Sequence, residues 1–468
     1  MKRVFIYTGI LFSVLFLGCK KYLDVNTDPN LVYNPSLSSL LVTSTYESGM
    51  NVQRLGDITS YYVQYLASPN PGSDRDTYQE EDLSEEWNFV YSAMTDIQEM
   101  MQQAQERGAT EHLGVGKIML AMNLNMLINI FGDVPYSQAF QDKENVTPAY
   151  DNQQALHDTT LKLLDEALVE FAKPTPTITL DPGSDLIHQG NIEAWTKTAY
   201  ALKARFLNQL SKTSAYSPSE VLAAVENAYT SNTDNAALTS FAEFNPWNEV
   251  ARDNASLILD GWLSEQFVDA TNGKTFGLAD PRLPLITNLT DFGDYRGTPN
   301  GQGRSGTGTS NEQSVLTREG FYSADGPTPL WLVTYAEVKF IEAEAAFRSN
   351  NRSRAYTAYQ AGIRAQMDLM EVAPAARDAY VNHPAVSVGE NNLTLALIFK
   401  EKYVAMFLHP EAWVDARRFD YQYKDFTLPV NAVLNSFIRR SAYPVVETSR
   451  NGANVPDVDM LTKLWWDQ

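Results

Sequence analysis

"TYAEVKFIEAEAAFRSN" fills residues 334–350 and "RSRAYTAYQAGIRAQMDLM" fills residues 352–370. Both carry the three-to-four-residue apolar period of amphipathic helices, so the stretch is a helix–turn–helix unit with alanines where two helices cross closely. "IEAWTKTAYALKARFLNQLSKT" (192–213) and "SEVLAAVENAYTSN" (219–232) form a second such pair. Upstream, "EEWNFVYSAMTDIQEMMQQAQERG" (85–108) sets Trp87, Val90, Tyr91, Met94, Ile97 and Met101 on one stripe and stops at Gly108. A largely buried helix over 115–133 ends at Gly132, and an amphipathic helix over 152–171 follows. The chain is therefore expected to be mainly α, an irregular scaffold of about three or four helix pairs.

These units resemble tetratricopeptide repeats in a degenerate form. Two loop-rich zones interrupt them: "LASPNPGSDRDTYQEEDLS" (66–84), and residues 289–329, rich in Gly, Thr, Asn and Pro. Loops this long inside a compact fold are usually functional or disordered. Helical units lie on both sides of each zone, so neither reads as an interdomain linker, and residues 19–468 are expected to form one domain.

The amino terminus reads differently. Lys2 and Arg3 precede 14 apolar residues (4–17), which is short of the roughly 20 that cross a bilayer. That suits a secretory signal over residues 1–18. Phe16-Leu17-Gly18-Cys19 resembles a bacterial lipobox, and Cys19 is the one cysteine of the chain, so its expected role is a lipid anchor rather than a disulfide or thiolate metal site. An ordinary signal cut elsewhere is the competing reading. Asp24, Asn26, Asp28 and Asn30 alternate like the start of a calcium loop, yet Pro29 stands where glycine is required and Pro35 where a bidentate Glu is required. Residues 19–35 are expected to be a tether and turn.

The net charge is −21, and losing residues 1–18 removes two basic groups and no acid, giving −23. Such a surface is repelled by nucleic acid and by anionic lipid headgroups. The chain holds 8 Trp, 24 Tyr and 21 Phe, a supply of flat rings with polar handles that serves sugar or peptide recognition as well as cores. Enzyme signatures are lacking. "GQGRSG" (301–306) fits a dinucleotide fingerprint only in spacing, because no strand precedes it and no helix follows. His112, His157, His188, His383 and His409 share no ligand spacing and read as surface or capping residues, so no metal and no cofactor is expected. Glu337, Glu342, Glu344, Asp415 and Asp420 are carboxylates a glycosidase could use. Glu344 with Arg348 and Asp415 with Arg418, however, stand at ordinary helix ion-pair spacings.

Six stretches in order carry a wider likeness: "CKKYLDVNTDPN" (19–30), "FGDVPYSQAF" (131–140), "TYAEVKFIEAEAAF" (334–347), "IFKEKYVAMFLHPEAWVDARRF" (398–419), "RRSAYPVVETSRNGANVP" (439–456) and "TKLWWDQ" (462–468). Together they resemble the SusD/RagB family of nutrient-binding outer-membrane lipoproteins of Bacteroidetes, in its SusD-like branch. The resemblance implies a mainly helical, tetratricopeptide-like fold, no catalysis, and lipid attachment at the cell surface. It further implies a SusC-like TonB-dependent transporter as partner, which such proteins cover as a hinged lid while delivering oligosaccharides or peptides. Trp413, Trp465 and Trp466 lie in the shared motifs and Trp87 on an apolar helical stripe, so core or docking roles are expected of all four. Ligand contacts in such proteins lie mainly in variable loops, here 66–84 and 289–331. The candidates there are Tyr78, Tyr295, Arg296, Tyr322 and Trp331, with Trp247 of "FNPWN" outside the zones. A surface glycoside hydrolase and a structural adhesin are the rival readings.

Overall fold

The computed structural model describes residues 35–141, 145–174, 176, 178–255, 261–304 and 310–468. The expected signal segment (1–18), Cys19, the expected turn at 24–30 and part of "GQGRSG" lie outside the described residues. Among those described are fourteen α-helices and two short strands, as a mainly α chain requires.

Helix α1 (Leu37–Tyr62) is followed by α2 (Ser84–Arg107), α3 (Thr110–Phe131), α4 (Gln153–Phe171), α5 (Ile192–Gln209) and α6 (Pro218–Val225), each packed on the one before it. After α6 the chain leaves this stack for a long insertion. It carries β1 (Ala236–Leu238), α7 (Pro246–Ala255), α8 (Glu265–Thr271) and β2 (Leu330–Val333), whose strands pair antiparallel. The chain then rejoins the stack with α9 (Tyr335–Arg348), which packs on α6, α5 and α10 (Arg352–Leu369). Helices α11 (Pro374–Val381), α12 (Leu395–Ala405), α13 (Glu411–Arg418) and α14 (Val445–Arg450) complete it.

Gly108 ends α2 in a left-handed conformation, and Gly132 ends α3 at φ 84°, as their positions predict. Helix α3 starts earlier than expected, because Gly114 hides inside it. A Cβ there would stand 2.3 Å from the Phe171 ring, so glycine permits the close crossing of α3 on α4. By length and composition α3 could also cross a membrane, a feature the sequence reading did not find, but it is buried among its neighbours almost throughout.

The longest helix, α1, escaped the sequence reading altogether. Its buried residues include Leu40, Leu41, Val52, Leu55 and Ile58, but among them stand Ser44, Thr45, Ser48, Gly49, Gly56, Thr59 and Ser60, all poor helix formers. Their small size is what the packing needs. A Cβ on Gly49 would lie 2.9 Å from Leu238 of β1, and one on Gly56 would lie 2.4 Å from the Leu408 carbonyl. Three of the buried hydroxyls bond back along the helix, Thr45 to Leu41 O (2.7 Å), Thr59 to Leu55 O (2.9 Å) and Ser60 to Gly56 O (2.6 Å), while Ser48 Oγ accepts from Asn123 Nδ2 (2.8 Å).

The family-motif carboxylates are not solvated ion pairs. Arg418 makes two bonds to Glu344 (2.7 and 2.9 Å) and one to Asp415 (2.6 Å), with all three groups buried. Lys402 reaches Asp415 at 2.8 Å, and Arg205 holds Glu337 with two bonds of 2.6 Å. Arg282 binds Asp280 and Glu401, each at 2.6 Å. The i+4 and i+3 pairs read from the sequence exist, but the long-range pair Glu344–Arg418 dominates. Asp420 instead joins Lys212 (2.9 Å) at the surface. Arg417 lies 3.7 Å over the Trp413 ring and 4.8 Å from the Trp466 ring, so both indoles are core residues, as is Trp87.

Replacing Arg418 with Ala removes the bidentate partner of buried Glu344 and one of the two cations on buried Asp415, leaving only Arg348 and Lys402 beside them. The expected loss is about 3–5 kcal/mol of unfolding free energy. Urea denaturation monitored by circular dichroism measures it, and a loss under about 1 kcal/mol would be the surface-pair result.

Candidate functional site

Twenty-one residues (63–83) separate α1 from α2, and the structure fastens this first loop zone to the second one. The backbone of 65–67 runs beside 262–264: Ala67 N donates to Trp262 O (2.9 Å) and Ser264 N to Tyr65 O (2.9 Å). On the other side Thr298 N donates to Leu263 O (2.8 Å) and Glu265 N to Thr298 O (2.9 Å). Asp76 closes the junction. Its buried carboxylate accepts from Ser68 N (2.9 Å), Asn300 Nδ2 (2.7 Å) and Gly301 N (3.0 Å), joining loop positions more than two hundred residues apart. Burial pushes its pKa up to about 6, against the pull of those donors. Gly301 sits at φ 78°, and a Cβ there would strike the Val430 carbonyl at 1.9 Å, so a third loop also presses into this junction. Arg75 pins the first zone to α1 through Asp57 (2.5 Å) and to its own far end through Glu81 (2.9 Å).

Two adjoining clefts open on the outside of this junction. The larger, about 700 Å³, lies among α8, Lys274 and the 289–299 loop, and Tyr295 and Arg296 line it. The smaller, about 390 Å³, continues past Glu265 and Asp269 to Asn300, Gln302 and the 425–430 loop. Four carboxylates (Glu265, Asp269, Asp294, Asp425) and two cations line the pair. Both cations are already engaged: Lys274 with Asp269 (2.6 Å) and Glu265 (3.5 Å), and Arg296 with both oxygens of Asp294 (2.9 and 2.8 Å). The Arg296 guanidinium also lies 4.1 Å over the exposed Phe292 ring, at the tip of a turn in which Thr290 Oγ1 donates to Asp294 (2.7 Å). The clefts thus present acceptors, a half-buried Tyr295 ring and no uncommitted positive charge.

The six sequence candidates fall into three places. Tyr295 and Arg296 share the larger cleft. Trp247, Tyr322 and Trp331 meet around a separate, small pocket of about 30 Å³ beside β2. Tyr78 stands with neither group. It is wholly buried at φ 59°, its ring edge-on to Tyr62 at 6.1 Å, leaving no face for a ligand. Glu265, Asp269, Lys274 and Asp425 were missed by the sequence reading, because nothing local marks them as neighbours of residues 295–300. Of the histidines, His112 and His157 are buried in the core rather than at the surface. His409 does cap: it accepts at Nδ1 from Glu411 N (3.1 Å) at the start of α13 and donates from Nε2 to Leu332 O (3.0 Å). Burial lowers its pKa to about 4, so the ring is neutral. Among the described residues no three His, Cys, Asp or Glu side chains converge as a metal site would require.

The helix stack with its long insertion and loop-built clefts defines a mainly α fold class. Residues 29–444 match the SusD-like family described as starch-binding and associating with the outer membrane, and the chain belongs to that family. Solved structures share the fold. A chitin-binding SusD homolog from Flavobacterium johnsoniae has TM-score 0.76 at 21% identity, over 92% of this chain and 98% of that one. A SusD/RagB family protein from Bacteroides thetaiotaomicron has TM-score 0.74 at 21% identity, over 93% and 99%. A SusD homolog from Parabacteroides distasonis has TM-score 0.75 at 21% identity, over 92% and 97%. No curated protein matches the sequence.

Asp76→Ala leaves the buried N–H groups of Ser68 and Gly301 unpaired and takes one of two acceptors from Asn300 Nδ2, so a loss of about 2–4 kcal/mol is expected, with faster proteolysis within 66–84. The raised pKa sets the sign of a pH effect. Folded protein holds this proton more tightly than unfolded protein, so its contribution is full below about pH 4 and is lost as pH rises through about 6. The stability difference between wild type and Asp76→Asn, followed by urea titration, should therefore shift against wild type between pH 4 and pH 7. A pH-independent difference would contradict this.

Proposed function

We propose that the protein is a surface-exposed, lipid-anchored nutrient-binding protein that captures oligosaccharides in the paired clefts and delivers them to a SusC-like TonB-dependent transporter. The observation that carries the reading is the cleft itself: a fastened, loop-built surface hollow of ligand size, on a chain of the SusD-like family. Tyr295 offers an apolar ring face to a sugar, while Arg296, Asn272 and the carboxylates provide hydrogen-bonding groups for its hydroxyls. The cations are neutralised before any ligand arrives, which favours neutral glycans and disfavours uronate or sulfated ones. Cys19, once lipidated, tethers the body to the outer membrane.

A basic peptide is the second reading, favoured by the excess of carboxylates over cations in the clefts and by the overall charge of −21. The protein acts by binding, not by catalysis. Of the five acids that a glycosidase reading would recruit, Glu337, Glu344 and Asp415 are buried and paired to arginine, Glu342 is paired to Lys339 and Arg354, and Asp420 is paired to Lys212 at the surface.

Isothermal calorimetry against neutral oligosaccharides, anionic oligosaccharides and short peptides tests the proposal. Neutral glycans are expected to bind with little salt dependence, and Tyr295→Ala to weaken them about tenfold, or about 1.4 kcal/mol. Tyr78→Phe should leave affinity unchanged. Binding confined to basic peptides and lost with salt supports the second reading, and tight binding of anionic glycans contradicts both. Release of reducing sugar from a polymer would overturn the non-catalytic assignment. Cys19→Ser should move the protein from the membrane to the soluble fraction, and gentle solubilisation of the wild type should bring the transporter with it.

A further inference from the structure

Glu265, Asp269, Lys274 and Pro299 line both clefts, so they stand where one cleft passes into the other. Glu265 and Asp269 lie four residues apart on α8, which puts both carboxylates on one side of that helix. A like-charged pair at that spacing is destabilising by itself. Asp269 is the more covered of the two, its side chain 18% exposed against 48% for Glu265. The cation that relieves the pair is the Lys274 ammonium, 2.6 Å from Asp269 and 3.5 Å from Glu265.

The turn after α8 fixes this placement. Asn272 Oδ1 accepts from Lys274 N (2.9 Å), while Asn272 Nδ2 donates to Asp269 Oδ1 and to Tyr295 O, both at 3.3 Å. Gly273 takes φ 98°, and Thr275 N donates to Asp269 O (3.0 Å), so the chain doubles back and sets Lys274 beside the acidic pair. The Lys274 side chain nonetheless stays 65% exposed. Its hold on the carboxylates is therefore that of a surface ion pair, which a competing cation can contest.

We propose that Lys274 is a specificity-determining residue of the clefts: its ammonium fills the anionic seat that a ligand amine would take, so uncharged chains cross the junction and basic ones are held back. An uncharged chain need not dislodge it, because carboxylate lone pairs and ammonium protons both serve hydroxyls. A ligand amine must first displace Lys274 and then lie beside its charge. In the larger cleft Arg296 is neutralised in the same way, by both oxygens of Asp294. The inference rests on reading the clefts as the ligand site, and it names the group that decides between neutral and basic ligands there.

Pentalysine is a probe of known charge, so the test needs no natural ligand. Calorimetry compares its affinity for wild type, Lys274→Gln, Lys274→Arg and Lys162→Gln, each checked for unchanged melting. Lys162 is 75% exposed on α4, and its replacement makes the same change in net charge away from the clefts. Lys274→Gln is expected to bind pentalysine about fivefold more tightly than wild type does, the scale of one surface ion pair. The gain should vanish in about 1 M salt, where the screening length is about 3 Å. Lys274→Arg and Lys162→Gln should match wild type, and adding Asp269→Asn to Lys274→Gln should abolish the gain. No gain in Lys274→Gln, or an equal gain in Lys162→Gln or Lys274→Arg, overturns the proposal. Silence of wild type toward every glycan and peptide would instead count against the clefts as the ligand site, so the two failures are told apart.

Discussion

The buried bond between Arg418 and Glu344 is the constraint on which the rest of the architecture hangs. Three charged groups leave water when α9, α13 and their neighbours come together, and only close bidentate geometry offsets that desolvation. Arg418 supplies it by binding Glu344 twice and Asp415 once, while also donating to Asn208 O of α5 at 3.2 Å. The Arg418 charge holds the Glu344 carboxyl well below the usual carboxylate range despite complete burial. One guanidinium therefore fixes the register of α5, α9 and α13. Seven residues earlier on α9, Glu337 repeats the device with Arg205 of α5, and Arg205 also donates to Leu332 O at 2.9 Å. The point where the insertion re-enters the stack is thus held by charge as well as by packing.

That anchoring explains how long loops can carry a defined surface. The insertion leaves after α6 and returns through β2, with both ends tied to the stack. Between them, the polar residues Asp76, Asn300 and Ser264 replace the hydrophobic contacts a loop cannot make. Asn300 alone bonds Leu66 O (2.9 Å), Asp76 (2.7 Å) and the Ser264 hydroxyl (2.6 Å). A network with its donors and acceptors matched stiffens the site floor, which lowers the ordering cost when a ligand binds. Stiff floors and exposed rims, including Phe292 and Val430, suit capture of a passing ligand.

Helical periodicity made the paired helices legible from sequence, since α10 buries one stripe and its partner α9, though buried on nearly every side, keeps the same spacing of large apolar residues. It failed for α1, where buried Ser, Thr and Gly interleave with the buried leucines, Val52, Ile58 and tyrosines and blur the apolar period, because close packing at those positions selects for smallness. Local spacing exposed the Glu344–Arg348 and Asp415–Arg418 pairs, but not the Arg418–Glu344 bond between residues 74 apart. The same limit governs the site. Both loop zones were readable as loops from Gly, Pro and Asn content, and Tyr295 and Arg296 stand on the cleft. Tyr78 lies in an equally polar stretch, and nothing in "DRDTYQEE" signals that its ring turns inward under Asp76. Glu265 and Asp425 became site residues only through three-dimensional neighbourhood.

The central claim is that the ligand meets this protein on the junction-built clefts. Hydrogen–deuterium exchange of the whole chain, with and without its best-binding oligosaccharide or peptide, tests it most directly. The account predicts slowed exchange in 262–273, 293–302 and 425–430, with the α4–α6 face unchanged. Protection confined to the α4–α6 face, with the clefts unaffected by a bound ligand, would contradict it.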